Sequence, residues 1–235
     1  MDIEITGDGP QQIIALHGIQ GTRVAWRPVA EACSKFATFH LPNLRGRGRA
    51  LRPATADGYE LAEFAGELDM IINETTTEAP FILAGWSMGV SVILQWLSQS
   101  PGKRPAALIL ASGTPAPCHA PWFTAQGDAL IEQIAMREQR LGLKEAADQQ
   151  AVAWTWQSLR HIDHRRTLAS IPEPALILHG SDDQDSPYGH AHWLADGLHA
   201  SRLVALQGAG HSVLTENTTQ VADHLGQFIH SLARN

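Results

Sequence analysis

Long apolar runs, paired cysteines and surplus positive charge are all missing from this chain of 235 residues. No apolar stretch approaches the roughly 18 to 20 residues that a membrane-spanning helix needs, so no membrane role is expected. Two cysteines, Cys33 and Cys118, are too few for a disulfide framework and lack metal-type spacing. Both are expected as free thiols. Lysine and arginine number 17 against 24 aspartates and glutamates, and a net charge of −7 lacks the concentrated positive field that a nucleic-acid partner requires. The start, Met1-Asp2-Ile3-Glu4-Ile5, has no basic stretch followed by an apolar one, so no signal peptide is expected and a cytoplasmic location is. No repeat or low-complexity tract occurs.

What is present is an alternation of short apolar runs with longer amphipathic stretches, the mark of a mostly parallel sheet covered by helices. Strands are expected at Ile3 to Thr6, Gln12 to Leu16, Ala37 to Leu41, Phe81 to Ala84, Ala106 to Ala111, Ala175 to His179 and Arg202 to Leu206. The turn Gly7-Asp8-Gly9-Pro10 joins the first two. Helices are expected near Trp26 to Ser34, Glu60 to Ile72, Val90 to Trp96 and Val221 to Leu232. Between Ser112 and Ile171 the alternation stops, and the spacing becomes helical without a convincing strand. Residues 1–111 and 172–235 thus read as one core domain, with 112–171 inserted into it. The insertion concentrates Trp122, Phe123, Trp154 and Trp156, which either pack it onto the core or line a pocket.

The chemistry centres on Gly85-Trp86-Ser87-Met88-Gly89, placed directly after the apolar run Phe81-Ile82-Leu83-Ala84. Two glycines permit a backbone too tight for side chains, and a strained strand-to-helix turn lifts the Ser87 hydroxyl toward a substrate. A serine hydroxyl is a weak nucleophile until a base takes its proton, and the base works best when a carboxylate holds its tautomer. Late in the chain, Gly180-Ser181-Asp182-Asp183-Gln184-Asp185 follows one strand and Gly208-Ala209-Gly210-His211 follows the next. The order serine, aspartate, histidine is the one this elbow class uses.

Jointly these segments resemble the α/β-hydrolase superfamily in its serine-nucleophile branch, from near Ile3 to near Leu232. Leu16-His17-Gly18 resembles the oxyanion-hole loop, Leu44-Arg45-Gly46-Arg47-Gly48-Arg49 the glycine-rich turn, and Gly85 to Gly89 the elbow. Asp163 to Leu168 with Ile171-Pro172 resembles the return from a lid, and Gly180 to Asp183 and Gly210-His211 the acid and base loops. The resemblance implies an α/β-hydrolase fold with helices on both sheet faces and a short helical lid at 112–171. It also implies a triad of Ser87, His211 and Asp183, with Asp182 and Asp185 as alternative acids. Backbone N–H groups of Ile19 and Met88 are then the oxyanion donors, and the side chains of Ile19, Trp86 and Met88 lie near the scissile bond. Trp86, Trp122 and Trp154 are candidate substrate contacts, with core packing as the alternative for each. Asn43, Ala50 and Val90 depart from the family pattern, and Val90 is expected to shift the helix after the elbow slightly from the sheet.

The reading that follows is a serine hydrolase acting through an acyl-enzyme on a small-molecule carboxylic ester, thioester or lactone. It is similar to small carboxylesterases and enol-lactonases and needs no metal or cofactor. His190 and His192, two apart, make a poor metal pair, and His17 is expected to shape its loop. Carbon–carbon bond hydrolysis by the same triad and ligand binding without turnover are the alternatives. Arg45, Arg47, Arg49 and Arg52, with Arg160, Arg165 and Arg166, read as solvated faces or as a docking patch for an acyl carrier or coenzyme A moiety.

Overall fold

The computed structural model describes residues 1–76, 79–99, 102–232 and 234. The chain opens with β1 (Ile3–Thr6) and β2 (Gln11–Leu16), then α1 (Arg27–Ala32), β3 (Ala37–Pro42) and α2 (Leu61–Thr75). β4 (Phe81–Trp86), α3 (Met88–Ser98) and β5 (Ala107–Ala111) follow. The helices α4 (Asp128–Leu141) and α5 (Gln149–Leu159) precede β6 (Ala175–Gly180), α6 (Gly189–Gly197) and β7 (Ser201–Leu206). α7 (Val213–Glu216) and α8 (Thr218–Leu232) close the chain.

The seven strands form one sheet in the order β1-β3-β2-β4-β5-β6-β7. Only the edge strand β1 is antiparallel, through its pairing with β3. This is an α/β fold with a mostly parallel sheet. β1 and β2, consecutive in the chain and joined by a short turn, are not neighbours, because β3 lies between them. The linking turn crosses the start of β3 so closely that a side chain at Gly9 would collide with the Phe36 and Ala37 backbone.

The period-two alternation of side chains along each strand divides the interior into two cores. Ile13, Ala15, Ile82, Ala84 and Ile109 face α1 and α8, against Val29, Val221 and Leu225. Ile14, Leu16, Leu83, Leu108 and Ile177 face α2, α3 and α6, against Phe64, Leu68, Ile93 and Leu194. Because both faces are covered, every residue of β4 is buried, which explains its nearly unbroken apolar run. Between β5 and β6 the described residues form α4, α5 and short 3-10 turns but no strand. This helical segment lies over the C-terminal strand ends: Gln20 donates from Nε2 to the Ile134 carbonyl at 2.8 Å, and the Ala147 N–H returns to the Gln20 carbonyl at 2.9 Å.

Candidate active site

Ser87 sits between β4 and α3 with φ 56° and ψ −117°, a strained conformation for a residue with a side chain. Close approach of strand and helix makes the turn possible. A Cβ on Gly85 would lie 2.6 Å from the Gly89 carbonyl carbon, and one on Gly89 would lie 2.5 Å from the Leu16 carbonyl oxygen. Val90, the departure noted at the elbow, is fully buried and finds its space at Gly113, where any Cβ would meet its side chain at 2.3 Å.

The Ser87 hydroxyl donates to His211 Nε2 at 3.0 Å, and His211 Nδ1–H donates to Asp183 Oδ2 at 2.9 Å. His211 arrives on the loop after β7, and Asp183 on the loop after β6. The Asp183 side chain is wholly buried, and its Oδ1 also accepts the backbone N–H groups of Asp185 and Ser186 at 3.0 and 2.8 Å. Those bonds fix the carboxylate before any substrate arrives. The other two acids of this loop are occupied elsewhere. Asp182 is exposed and accepts from Ser181 Oγ at 2.8 Å. Asp185 pairs with Arg137 at 3.1 Å and with Arg140 at 3.1 Å. Burial works against the Asp185 charge, but Arg137 and its neighbours outweigh it and hold the carboxyl below the usual aspartate range.

Trp86 encloses the histidine. Its indole N–H donates to the His211 carbonyl at 3.0 Å, and its ring stands 5.3 Å from the imidazole. Gly18 passes so close to the same indole that a Cβ there would meet it at 3.0 Å. The opposite wall carries Ile19, whose N–H has no acceptor among the described residues, and Met88 stands at the first position of α3, where a helix N–H has no partner within the helix. Both side chains are buried.

The slot above Ser87 is about 10 Å³, room for a single water, and is bounded by Ile19, Gln20, Trp86, Arg137 and Leu143. It adjoins a cleft of about 370 Å³ that shares Gly21, Trp86, Leu141 and Leu143 and continues past Lys144 to Thr215. A cavity of about 430 Å³ beside Asp2, Arg49 and Met70 lies apart from these residues.

Two of the candidate aromatic contacts lie elsewhere. Trp122 is buried against Trp156 at 5.6 Å, and Trp154 packs on Tyr59 at 5.4 Å; neither borders the slot or the cleft. They pack the helical segment onto the core, because large rings at a helix–core contact remove the most apolar surface from water. Among the arginines, Arg45 and Arg47 depart from a solvated face, whereas Arg49, Arg52, Arg165 and Arg166 are exposed. Arg45 is paired with Glu67 and Glu63, both at 3.1 Å, and Arg47 is fully buried. Arg165 is paired with Asp163 at 2.6 Å. That pair also fills the one grouping of metal-type ligands among the described residues, exposed Cys118, His119 and Asp163, since Arg165 additionally contacts His119 at 3.2 Å.

Residues that pattern reading did not single out are Gln20 and Arg137. Arg137 is buried, donates to Gln20 Oε1 at 2.6 Å, and ties α4 to Asp185 beside the triad loop. A polar residue directly after Ile19 was the one signal available for Gln20. For Arg137 no signal existed, because it reads as an ordinary helix-surface arginine.

A mostly parallel sheet covered on both faces, with a serine on a strained turn at the carboxyl end of a central strand, defines an α/β enzyme architecture. The chain belongs to the alpha/beta hydrolase family, whose model matches residues 13–224. It is 28% identical over 222 residues to the AB hydrolase superfamily protein YisY of Bacillus subtilis, covering 80% of each chain. It is 27% identical over 245 residues to a pimeloyl-[acyl-carrier protein] methyl ester esterase of Nitrosomonas europaea, covering 89% of this chain and 92% of that one. Among solved structures, an esterase from Exiguobacterium antarcticum superposes with a TM-score of 0.81 at 22% identity, over 97% of this chain and 94% of that one. A thermophilic esterase from Thermogutta terrifontis does so with 0.79 at 21%, over 98% and 93%. At these identities the structural likeness concerns the fold. No helix among the described residues is long and apolar enough to cross a membrane.

Proposed function

We propose that the protein is a serine hydrolase that cleaves a carboxylic ester, thioester or lactone through an acyl-enzyme. The observation that carries this reading is the unbroken hydrogen-bond chain from Ser87 through His211 to Asp183. Ser87 Oγ attacks the substrate carbonyl while its proton passes to His211 Nε2. Asp183 holds the imidazole tautomer and stabilises the imidazolium that forms. Collapse of the tetrahedral intermediate expels the alcohol or thiol, which takes the proton from His211. A water then repeats the sequence on the acyl-enzyme, and the acid leaves. The oxyanion is held by the N–H groups of Met88 and Ile19, each typically worth about 2.7 to 4 kcal/mol of transition-state stabilisation.

Residues 112–171 act as the lid of a core formed by 1–111 and 172–235. The single-water slot at Ser87 supports this role, because an acyl group enters only as α4 and the 142–145 link move outward. The names of several relatives favour a methyl ester on a carrier-borne acyl chain as the substrate within this class. The 370 Å³ cleft beside Trp86 is the approach for such an extended chain.

The test is hydrolysis of p-nitrophenyl esters from acetate to long acyl chains, with Ser87→Ala as control. Turnover that is lost in Ser87→Ala while circular dichroism stays unchanged is the expected result. Equal turnover in both proteins removes the serine mechanism.

A further inference from the structure

Arg47 is a fully buried charge that the mechanism above leaves unused. Among the described residues it forms no ion pair and its Nε has no partner, while its Nη1 donates to the Arg45 carbonyl at 2.7 Å and its Nη2 donates to the Ile19 carbonyl. The guanidinium lies 5.5 Å from the centroid of the Phe64 ring. Burial pushes its pKa down to about 10, against the opposing influence of Tyr59, Glu67 and Asp148, and this still leaves it charged at neutral pH. Burying a cation without a carboxylate is unfavourable, and a packed apolar side chain would fill the same space with less penalty.

The position of the charge supplies a reason. Ile19 N–H, a donor of the proposed oxyanion hole, lies between two carbonyls, and both are restrained. Leu44 N–H donates to His17 Nε2 at 3.0 Å, which leaves the His17 proton on Nδ1 to be donated to the Gly18 carbonyl at 2.8 Å. Arg47 holds the carbonyl on the other side, that of Ile19. Gln20, the next residue, is held by Arg137 through its side chain at 2.6 Å.

We propose that Arg47 is a positioning residue for oxyanion stabilisation: it fixes the Ile19 peptide and sets a desolvated positive charge behind the site where the substrate oxygen becomes negative. The inference rests on the serine-hydrolase reading. Preorganised charge in a dry site acts mainly on the transition state, where the oxyanion exists, and little on the neutral ground state. A merely structural arginine would change the amount of folded enzyme or the fit of substrate instead.

The experiment compares wild type, Ser87→Ala, Arg47→Gln and Arg47→Lys on one p-nitrophenyl ester. Rates of wild type and the Arg47 variants are expressed per active site titrated with a fluorophosphonate, so unfolded protein does not count, and the rate of Ser87→Ala, which has no serine to titrate, is expressed per folded protein. Affinity is measured in parallel for a trifluoromethyl ketone, whose carbonyl adds Ser87 Oγ and becomes an oxyanion, and for the corresponding trifluoromethyl alcohol, which is neutral and forms no oxyanion. In Arg47→Gln, kcat falls roughly 10- to 100-fold, less than the 10²- to 10³-fold of deleting a direct donor, while KM stays within about twofold. Ketone affinity falls with kcat, alcohol affinity is retained, and Arg47→Lys recovers part of the loss. An Arg47→Gln enzyme with kcat within twofold of wild type, a loss confined to KM, or lysine no better than glutamine overturns the proposal. If Arg47→Gln has no titratable sites, Arg47→Lys decides: a lower kcat at unchanged KM supports the role, and wild-type kcat overturns it. Absent turnover in wild type, or equal turnover in Ser87→Ala, would instead reject the hydrolase reading before any Arg47 comparison is made.

Discussion

Trp86 and His211 stand 125 residues apart in sequence, yet the Trp86 indole N–H donates to the His211 carbonyl at 3.0 Å. The residue before the proposed nucleophile thereby holds the backbone of the proposed base. A loop histidine gains a fixed address from the elbow itself, so the two halves of the proton-transfer pair are positioned by one turn. Trp86→Phe keeps the ring but leaves a buried carbonyl unpartnered, at about 1 to 3 kcal/mol. The expected outcome is a lower melting temperature and a kcat reduced about tenfold at nearly constant KM. Unchanged kcat would show that the indole bond does not position His211.

Asp183 is distinguished from its neighbours by contact with His211. Asp183→Asn preserves size and an acceptor for the Asp185 and Ser186 N–H groups but favours the wrong imidazole tautomer. A kcat loss of about 10⁴-fold is expected. Asp182→Asn, altering an exposed side chain bonded to Ser181, leaves kcat within about twofold of wild type. Comparing the two variants on one ester checks the assignment, and a reversed order refutes it.

The buried Arg137–Asp185 pair, at 3.1 Å, ties α4 to the loop carrying Asp183. Asp185→Leu strands the Arg137 charge and costs about 3 to 5 kcal/mol in urea unfolding. Arg140 is more exposed and turns to solvent, so it adds little to this penalty. The double variant Arg137→Met with Asp185→Leu restores much of the loss, because neither charge is then left alone. Additive losses in the cycle would show that the two side chains are not coupled.

His17 is neutral in the fold, with its pKa pushed down from 6.5 to about 3 by burial and secondarily by the Arg47 charge. As pH falls below 6.5 the unfolded chain takes up a proton there and the folded chain does not. Stability conferred by the neutral form is therefore present above 6.5 and declines toward pH 3. The slope from this residue is up to about 1.4 kcal/mol per pH unit. Urea unfolding at pH 7, 6 and 5 is expected to show a shallower decline for His17→Gln than for wild type. Parallel declines would exclude His17 as a source of acid lability.

Much of the architecture was legible locally. The apolar runs at Phe81 to Ala84 and Ala175 to His179 lie within fully buried strands, and the elbow at Gly85 to Gly89 forms the strand-to-helix turn its glycines imply. Period-two and helical spacing record which face of an element meets the core, and that requirement is written into each segment separately. Pairing order was less accessible. β1 and β2 read as two strands joined by a turn, which leaves their order in the sheet open, and β3 lies between them because strand placement depends on packing of the whole sheet.

The sequence by itself determined the succession of strands, most of the helices though not α6 or α7, the strained serine turn, and the chain order of serine, aspartate and histidine. Tertiary structure decided which of three neighbouring aspartates meets His211, and that Trp122 and Trp154 pack the helical segment instead of bordering Ser87. It also decided that Arg47 is buried against Ile19 while Arg49 remains at the surface. The reason is physical: a backbone turn and an apolar face follow from adjacent residues, whereas the surroundings of a charge are set by groups brought near it only when distant segments pack. Arg137 and Gln20, 117 residues apart, meet for that reason and no other.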